Sequence, residues 1–433
     1  MEFETFNLTD LYTISSGLSK NRKYFGTGTP FLTFKDVFDN LILPNEFSGQ
    51  VITEEKEREK YSVKKGDLFL TRTSEKQNEL GISAVALKDY KNATFNGFTK
   101  RLRPNKYCEN KLLPVYAAFY FRSNNFRNQV NSMSIMSTRA SLNNEMISKL
   151  KITIPSLQNQ MKISHILLAL LKKEKINQKI IANLEELSQT IFKHWFVDFE
   201  FPDENDNPYK SSGGEMVDSE LGMIPKGWEI ITINDFANNN VITGKTPSTK
   251  IKENYSETGI PFLTIPDMHN DIFALNTERY ISELGIEKLI KKVLPKNSLS
   301  ISCIATPGLV CIIANDTLTN QQINSFTPNK NALYYLYFKL KSMKDYIRDL
   351  GSGGSATLNL NKTQFSKIKL VKPINEILYK YDKLVSPNFK MILNIQKEIQ
   401  QLTQLRDTLL PKLMSGEIEI PDDIEVMEDE LSI

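Results

Sequence analysis

Cysteine, histidine and tryptophan are scarce in this sequence, with three, three and two residues among 433. Cys108, Cys303 and Cys311 are too few and too widely spaced for a disulfide framework or a thiolate zinc site, and they fit a reducing compartment. His165, His194 and His269 show no metal-ligand spacing, and the first two fall within a helical pattern. Long apolar runs are missing too. The longest, residues 166–171, is far short of the ~20 residues that cross a bilayer. Residues 1–4 have neither the basic start nor the apolar stretch of a signal peptide. A soluble, cytoplasmic protein without membrane partners is the expectation. Basic residues are absent from residues 417–433, which hold eight acidic ones; without that tail, the net charge of +3 becomes +11 on the rest. A basic body with an acidic tail fits a polyanion partner.

Catalytic constellations are also lacking. Gly244-Lys245-Thr246 resembles the end of a phosphate-binding loop, but Asn239 stands where that loop needs its first glycine, and Pro247 follows where a helix should begin. Residues 351–355 are glycine-rich without the lysine or the strand–helix setting. Asn207-Pro208-Tyr209 lacks one proline of the Asn-Pro-Pro-Tyr patch of adenine methyltransferases, and no glycine-rich cofactor loop follows a strand. Asp67, Glu75 and Lys76 are the best candidates for a metal-dependent nuclease site, yet their counterparts in the second half of the chain do not preserve the set. No nucleophile elbow is visible.

What the chain does have is a long internal repeat. Pro30-Phe31-Leu32-Thr33 and Asp36 recur 231 residues later as Pro261-Phe262-Leu263-Thr264 and Asp267. Lys65-Gly66-Asp67-Leu68 falls on Lys296-Asn297-Ser298-Leu299 at the same offset. Pro104-Asn105-Lys106 recurs as Pro328-Asn329-Lys330 at offset 224, and residues 148–152 recur as 366–370 at offset 218. The order is kept and the offset only shrinks, as a domain duplication with loops of unequal length requires. Each half opens with short β-rich runs, among them residues 31–34, 68–71, 82–87, 260–265 and 299–305, punctuated by Gly, Pro and Asn. Each closes on a helical pattern. Residues 158–197 contain no Pro or Gly, with Ile166, Leu170, Ile180, Leu184, Leu187 and Ile191 spaced by threes and fours; Met391, Ile395, Leu402, Leu405 and Leu409 repeat the stripe. Forty helical residues reach ~60 Å. In the second helix, Pro387 is expected to break or kink the start and Pro411 to end it. The link between halves is polar and turn-rich, and Ser211-Ser212-Gly213-Gly214 reads as flexible. The fold class predicted is α+β: two β-rich domains in tandem, each followed by a long α-helix, the two helices pairing as an antiparallel coiled coil.

A duplicated module without catalytic residues in either copy points to binding, and the candidates are loops that mix cations with hydrogen-bonding side chains. In the first module these are Lys20, Arg22 and Lys23; Thr71, Arg72 and Thr73; and Lys100 and Arg101, with Arg103 beside them. In the second they are Lys245, Thr246 and Lys250, with Ser248; Thr306; and Gln321 and Gln322, in a stretch where Asn320-Gln321-Gln322 aligns with Asn96-Gly97-Phe98 at offset 224. Arginine pairs with guanine and glutamine with adenine in the major groove, so Arg72 and Gln321 or Gln322 are the expected base readers. Leu167, Leu168, Leu171 and Trp195, partly off the main helical stripe, are candidates for contact with a protein partner.

The passage from His194-Trp195-Phe196-Val197-Asp198-Phe199 through Pro208-Tyr209-Lys210-Ser211-Ser212-Gly213-Gly214 to Ser219-Glu220-Leu221-Gly222-Met223-Ile224-Pro225-Lys226-Gly227-Trp228 resembles the junction between the halves of type I restriction–modification specificity subunits. Thr243-Gly244-Lys245-Thr246-Pro247-Ser248, Leu358-Asn359-Leu360-Asn361-Lys362 and residues 410–418 are similar to further patterns of that family, while the first half lacks the Gly-Lys-Thr-Pro-Ser opening. The resemblance implies target recognition domains at residues 1–155 and 227–373, spacer helices at 156–200 and 374–416, a linker at 201–226 and the acidic tail at 417–433. It implies a non-catalytic, sequence-specific DNA-binding subunit for DNA methylation and phage defence. Each domain would read one half of a bipartite, asymmetric double-stranded site, with the helices fixing the spacer and docking two methyltransferase subunits. Restriction subunits would complete the complex. This chain would carry no cofactor, S-adenosylmethionine and ATP belonging to the partner subunits. Two other readings remain open from the residues alone: a protein–protein scaffold without DNA contact, and an enzyme whose site escapes motif reading.

Overall fold

The computed structural model describes residues 2–74, 79–134, 140–269, 271–352, 359–421 and 426. The chain forms two compact units, Met1–Lys175 with Gln401–Ile433, and Ile176–Gln400. Both are α+β, and the second repeats the strand pairing of the first.

In the first unit, Phe3–Asn7 pairs antiparallel with Lys151–Pro155, closing the module's ends on each other. A four-stranded sheet follows in the order Tyr12–Ser16, Thr99–Pro104, Leu68–Thr71, Ser83–Val85, and a second in the order Gly49–Val51, Phe25–Leu32, Tyr90–Phe95, Ser62–Val63. In the second unit, Glu229–Thr232 pairs with Lys369–Lys372 in the same closing role. Its larger sheet runs Ile242–Thr243, Ile323–Phe326, Leu299–Ser302, Val310–Ile313, Phe273–Ala274. The registers are duplicated as well: Thr99 lies opposite Thr71, and Ile323 opposite Ser302, at the offsets of 224 and 231 read from the sequence.

The repeated motifs have local physical reasons. Phe31 and Leu32, like Phe262 and Leu263, are buried where their strand meets a parallel neighbour, Leu32 opposite Phe95 and Leu263 opposite Thr319. The threonine that follows caps a short helix, and the aspartate three residues on completes a capping box. The Asp36 carboxylate accepts from Thr33 N at 2.9 Å, and Asp267 from Thr264 N at 2.8 Å. Gly66 and Asn297 occupy matching turns with φ of 86° and 68°, a left-handed conformation that glycine and asparagine tolerate best.

The first long helix is Leu157–Phe196 and the second Asn375–Ser415; each passes from one unit into the other. Within the first unit, Ile163, Leu167 and Leu168 join a core that also holds Leu413 and Met414. There Lys162 Nζ donates to the Pro421 carbonyl at 3.0 Å, and Glu174 pairs with Arg406 at 3.0 Å, so the two segments run antiparallel. Within the second unit, Asn177 donates to Glu398 at 2.9 Å and Asn388 to Ser188 Oγ at 3.1 Å, again antiparallel. Leu167 and Leu168, expected to face a partner, are buried in the first core. Trp195 packs against Tyr381 with ring centroids 5.9 Å apart.

Two sequence expectations are corrected. The second helix begins twelve residues before Pro387 and runs through both Pro387 and Pro411. An interior proline costs about 3 kcal/mol. Around Pro387 the helix buries Tyr381, Val385, Phe389 and Ile392 in the core of the second unit, each contributing about 1.5–3 kcal/mol, so tertiary packing outweighs the local defect. The turn-rich link is also ordered. Phe201 is buried between Tyr209 and Trp228, stacked at 4.6 and 5.1 Å. Gly214 N donates to the Tyr209 carbonyl at 2.8 Å, and Met216–Val217 pairs with Ile224–Pro225. Phe201, Tyr209 and Val217 of this link pack on the core of the second unit, while Ser211, Ser212 and Gly213 form an exposed turn.

Candidate nucleic-acid interface

One edge of each unit is built by the same close approach of two chains. In the first unit, the strand Tyr12–Ser16 leads into Gly17, which lies flat on the backbone of Asn96: a Cβ there would stand 2.0 Å from the Asn96 carbonyl oxygen. Leu18 N donates to the Phe95 carbonyl at 2.8 Å and Gly97 N to the Leu18 carbonyl at 2.9 Å. The Asn96 side chain accepts from Phe98 N at 2.9 Å, fixing a tight turn. Arg72 N then donates to the Phe98 carbonyl, and the Arg72 carbonyl accepts from Leu142 N, both at 2.8 Å. Thus four segments converge: 17–23, 72–74, 96–98 and 141–144.

The second unit repeats this approach and its bonds, apart from the one between Gly97 N and the Leu18 carbonyl. Gly244 lies 2.2 Å, measured from its would-be Cβ, from the Asn320 carbonyl oxygen. Lys245 N donates to the Thr319 carbonyl at 2.8 Å, and Asn320 Oδ1 accepts from Gln322 N at 3.0 Å. Cys303 N donates to the Gln322 carbonyl and Leu360 N to the Cys303 carbonyl, both at 2.9 Å. Gly17 is therefore the structural counterpart of Gly244. The opening that the first half was read as lacking is present in backbone geometry, although only its glycine is retained.

The candidates fall into three groups. Arg22 and Lys23 are exposed on the 3-10 turn Arg22–Tyr24, with Lys23 Nζ 5.1 Å from the Tyr24 ring. Arg72 is exposed at the convergence, its Nη1 3.5 Å from the Gly97 carbonyl. Lys245, Lys250 and Gln321 are exposed and Thr246 and Gln322 half-buried on the equivalent edge, where Thr246 Oγ1 donates to Gln321. Thr306 is exposed on the loop after Leu299–Ser302, whose Ile304 bridges Asn359. These side chains stand on the surface of their edge. Lys20 and Thr73 are intermediate: Lys20 is bound to Glu57 at 2.6 Å and to the Ile52 carbonyl, and Thr73 lies in a two-residue ladder with Ser74, Ala140 and Ser141.

The third group is a correction. Thr71 is buried, donating to the Glu79 carbonyl and accepting from Ile82 N. Arg101 is buried over the Phe95 ring, with donors on the Ser62 carbonyl and Ser15 Oγ. Arg103 forms a double hydrogen bond, both at 2.7 Å, with the fully buried Asp67 carboxylate. All are strand residues, Thr71 and Arg101 buried and Arg103 half-buried, and their donors hold the sheet together. Asp67 is thereby committed to an ion pair, and Glu75 and Lys76 lie outside the described residues. Lys100 is only 6% exposed, and its ammonium donates to Ser16 Oγ and Asn144 Oδ1, both neutral, at 2.8 Å. Burial pushes its pKa down, and the Arg72 guanidinium adds to that shift. Two like charges thus lie near each other on this edge.

Four contributors were missed in the sequence. Asn143 and Asn144 reach the first edge because Ser141 pairs with Thr73, and the offset of 218 that sets Asn143 on Asn361 would have flagged them. Lys292 joins the second edge through a 3.1 Å bond to the Thr243 carbonyl, with no signal in its own neighbourhood. Phe98 is 66% exposed at the tip of the first edge. Among the described residues, no group of three His, Cys, Asp or Glu side chains is placed to hold a metal ion. The three cysteines are buried free thiols, and burial pushes Cys108 and Cys303 up to about 11 and Cys311 higher still.

With this geometry in hand, the comparisons with known proteins are direct. The model of the type I restriction modification DNA specificity domain matches the chain twice, over residues 1–186 and 225–406. The chain is 32% identical over 444 residues to the type I restriction enzyme HindI specificity subunit of Haemophilus influenzae, covering 90% of this chain and 94% of that one. It is 25% identical over 437 residues to the MjaIX specificity subunit of Methanocaldococcus jannaschii, covering 97% and 94%. Its fold is similar to the crystal structure of a type I restriction–modification S subunit from M. genitalium, with a TM-score of 0.56 at 15% identity over 95% of this chain and 96% of that one.

Proposed function

The chain belongs to the type I restriction modification DNA specificity family, and from that premise we propose that its two units each read one half of a split, asymmetric DNA site through the duplicated edge. The coarse role is DNA recognition within a restriction–modification complex, by a subunit that is not itself an enzyme. The observation that carries the finer reading is the pair of edges. One shared backbone framework presents Arg72 and Phe98 in the first unit and Thr246, Gln321 and Gln322 in the second. A scaffold that stays constant while its exposed groups change is what two readers of different sequences need. Arg22, Lys23, Lys245, Lys250 and Lys292 supply phosphate contacts, which set affinity and position. Arg72 pairs with guanine and Gln321 or Gln322 with adenine.

The long helices fix the distance between half-sites, and their ~60 Å length exceeds the ~34 Å of one helical turn of DNA. Exposed apolar side chains on the second helix, Tyr379, Leu384 and Met391, with Ile176 and Leu187 on the first, dock two methyltransferase subunits. Those subunits carry S-adenosylmethionine and flip the adenine out of the duplex. ATP-dependent restriction subunits complete the assembly. The complex works in the cytoplasm; no helix among the described residues is long and apolar enough to cross a membrane.

The test is adenine-methylation mapping with the gene present and deleted, followed by replacement of residues 1–155 with the matching region of a relative. Loss of one split motif on deletion, and change of one half only on replacement, is the expected result. A complex that binds DNA without salt dependence or methylates no split motif would overturn the reading.

A further inference from the structure

Phe98 is the most exposed of the large hydrophobic side chains among the described residues, yet its backbone is among the most firmly held. Its N–H donates to the Asn96 side chain at 2.9 Å, and its carbonyl accepts from Arg72 N at 2.8 Å. The neighbours are tied as well: Gly97 N to the Leu18 carbonyl at 2.9 Å, and Thr99 Oγ1 to the Asn96 carbonyl at 2.9 Å.

The duplication supplies an internal control. The equivalent turn in the second unit carries Gln322, whose side chain accepts from Asn320 Nδ2 at 3.0 Å, with its own N–H and carbonyl bonded as those of Phe98 are. The fold therefore does not need an aromatic ring here, so Phe98 is there for what covers it. It stands beside Arg72, at the place where the other unit presents an amide. A phenyl ring can neither donate nor accept a conventional hydrogen bond. On the base edges of the major groove, its apolar complement is the 5-methyl group of thymine.

Resting on the DNA-reading role above, we propose that Phe98 reads a thymine in the half-site of the first unit by contact with its 5-methyl group, next to the base engaged by Arg72. The second unit, with Gln322 at the same position, makes no such contact.

The test uses the whole complex, with its methyltransferase subunits, on a duplex carrying the site found by methylation mapping. Each thymine of the first unit's half-site is replaced in turn by deoxyuridine, which removes only the methyl group. At one position, binding by the wild-type complex should weaken about fourfold, the burial of a single methyl group. The Phe98→Ala complex should lose less than twofold there, while deoxyuridine in the other half-site affects both complexes alike. Phe98→Gln, which copies the second unit, should lose the same methyl sensitivity while melting at the wild-type temperature. The proposal is overturned if no thymine shows this coupling, if the half-site has no thymine, or if Phe98→Ala weakens every duplex equally. That last result would mark the ring as a wedge between base steps. If the wild-type complex recognises no split site, it is the function proposed above that fails, not the role of this one side chain.

Discussion

Replacing Gly244 by alanine tests whether the close approach of two backbones is what shapes the reading edge. The new Cβ would stand 2.2 Å from both the Asn320 carbonyl oxygen and Thr319 Oγ1, and 2.3 Å from the Thr319 carbonyl oxygen. Real Cβ atoms keep at least 3.0 Å, so the Thr319–Asn320 backbone must retreat by about 1 Å. Overpacking of this kind costs about 1–3 kcal/mol. Parting the chains also breaks the Lys245 N to Thr319 carbonyl bond of 2.8 Å, a further ~1 kcal/mol. The expected total is about 2–4 kcal/mol, confined to the second unit, with Gln321 and Gln322 displaced by about the same ångström. Urea unfolding measures the first effect. Methylation mapping measures the second: recognition of the second unit's half-site should be lost or relaxed, with the first half unchanged. Gly17→Ala, whose Cβ meets the Asn96 carbonyl oxygen at 2.0 Å, should do the reverse. Wild-type stability with both half-sites read as before would refute the argument, as would loss of both halves from one substitution.

Further outcomes are expected as follows. Arg103→Ala strands the buried Asp67 carboxylate and should lower stability by about 3 kcal/mol in urea unfolding, whereas Arg22→Ala with Lys23→Ala, both exposed, should leave it unchanged. That double variant should instead weaken binding to all duplexes alike and flatten the slope of log affinity against log salt by about 2, while Arg72→Ala should relax specificity at one position by roughly ten- to a hundredfold. The buried thiols should resist iodoacetamide at pH 8 until the chain is unfolded, as read by mass spectrometry. Because burial raises the Cys303 pKa to about 11 in the folded state, the stability it contributes is fully present below the ordinary thiol pKa and lost as pH rises towards 11; a native chain alkylated at Cys303 would refute its burial.

Much of the candidate site was visible before the fold was known, and the reason differs from residue to residue. Asp36 and Asp267 were found as a repeat and are capping-box residues acting on a backbone three positions away. The same short range made the α-helical stripes readable. Arg72, Gln321 and Gln322 were picked because polar residues between β-rich runs fall on loops. Lys100 and Arg101 were picked by the same logic and proved to be strand residues, their donors taken up by Ser16, Asn144, Ser15 and Ser62. Nothing within ten residues of Lys100 announces Ser16 or Asn144.

The sequence by itself determined the duplication, the α+β class and the local caps and turns, because each is written in contacts spanning a few residues or in the alignment of one half on the other. Tertiary structure alone decided which cations face solvent, how Phe201 packs a polar link onto the second core, why the second helix survives Pro387, and that Gly17 stands in for Gly244. Those outcomes depend on neighbours dozens to hundreds of residues away. Burial by such neighbours is worth several kcal/mol, more than the local preferences it overrides.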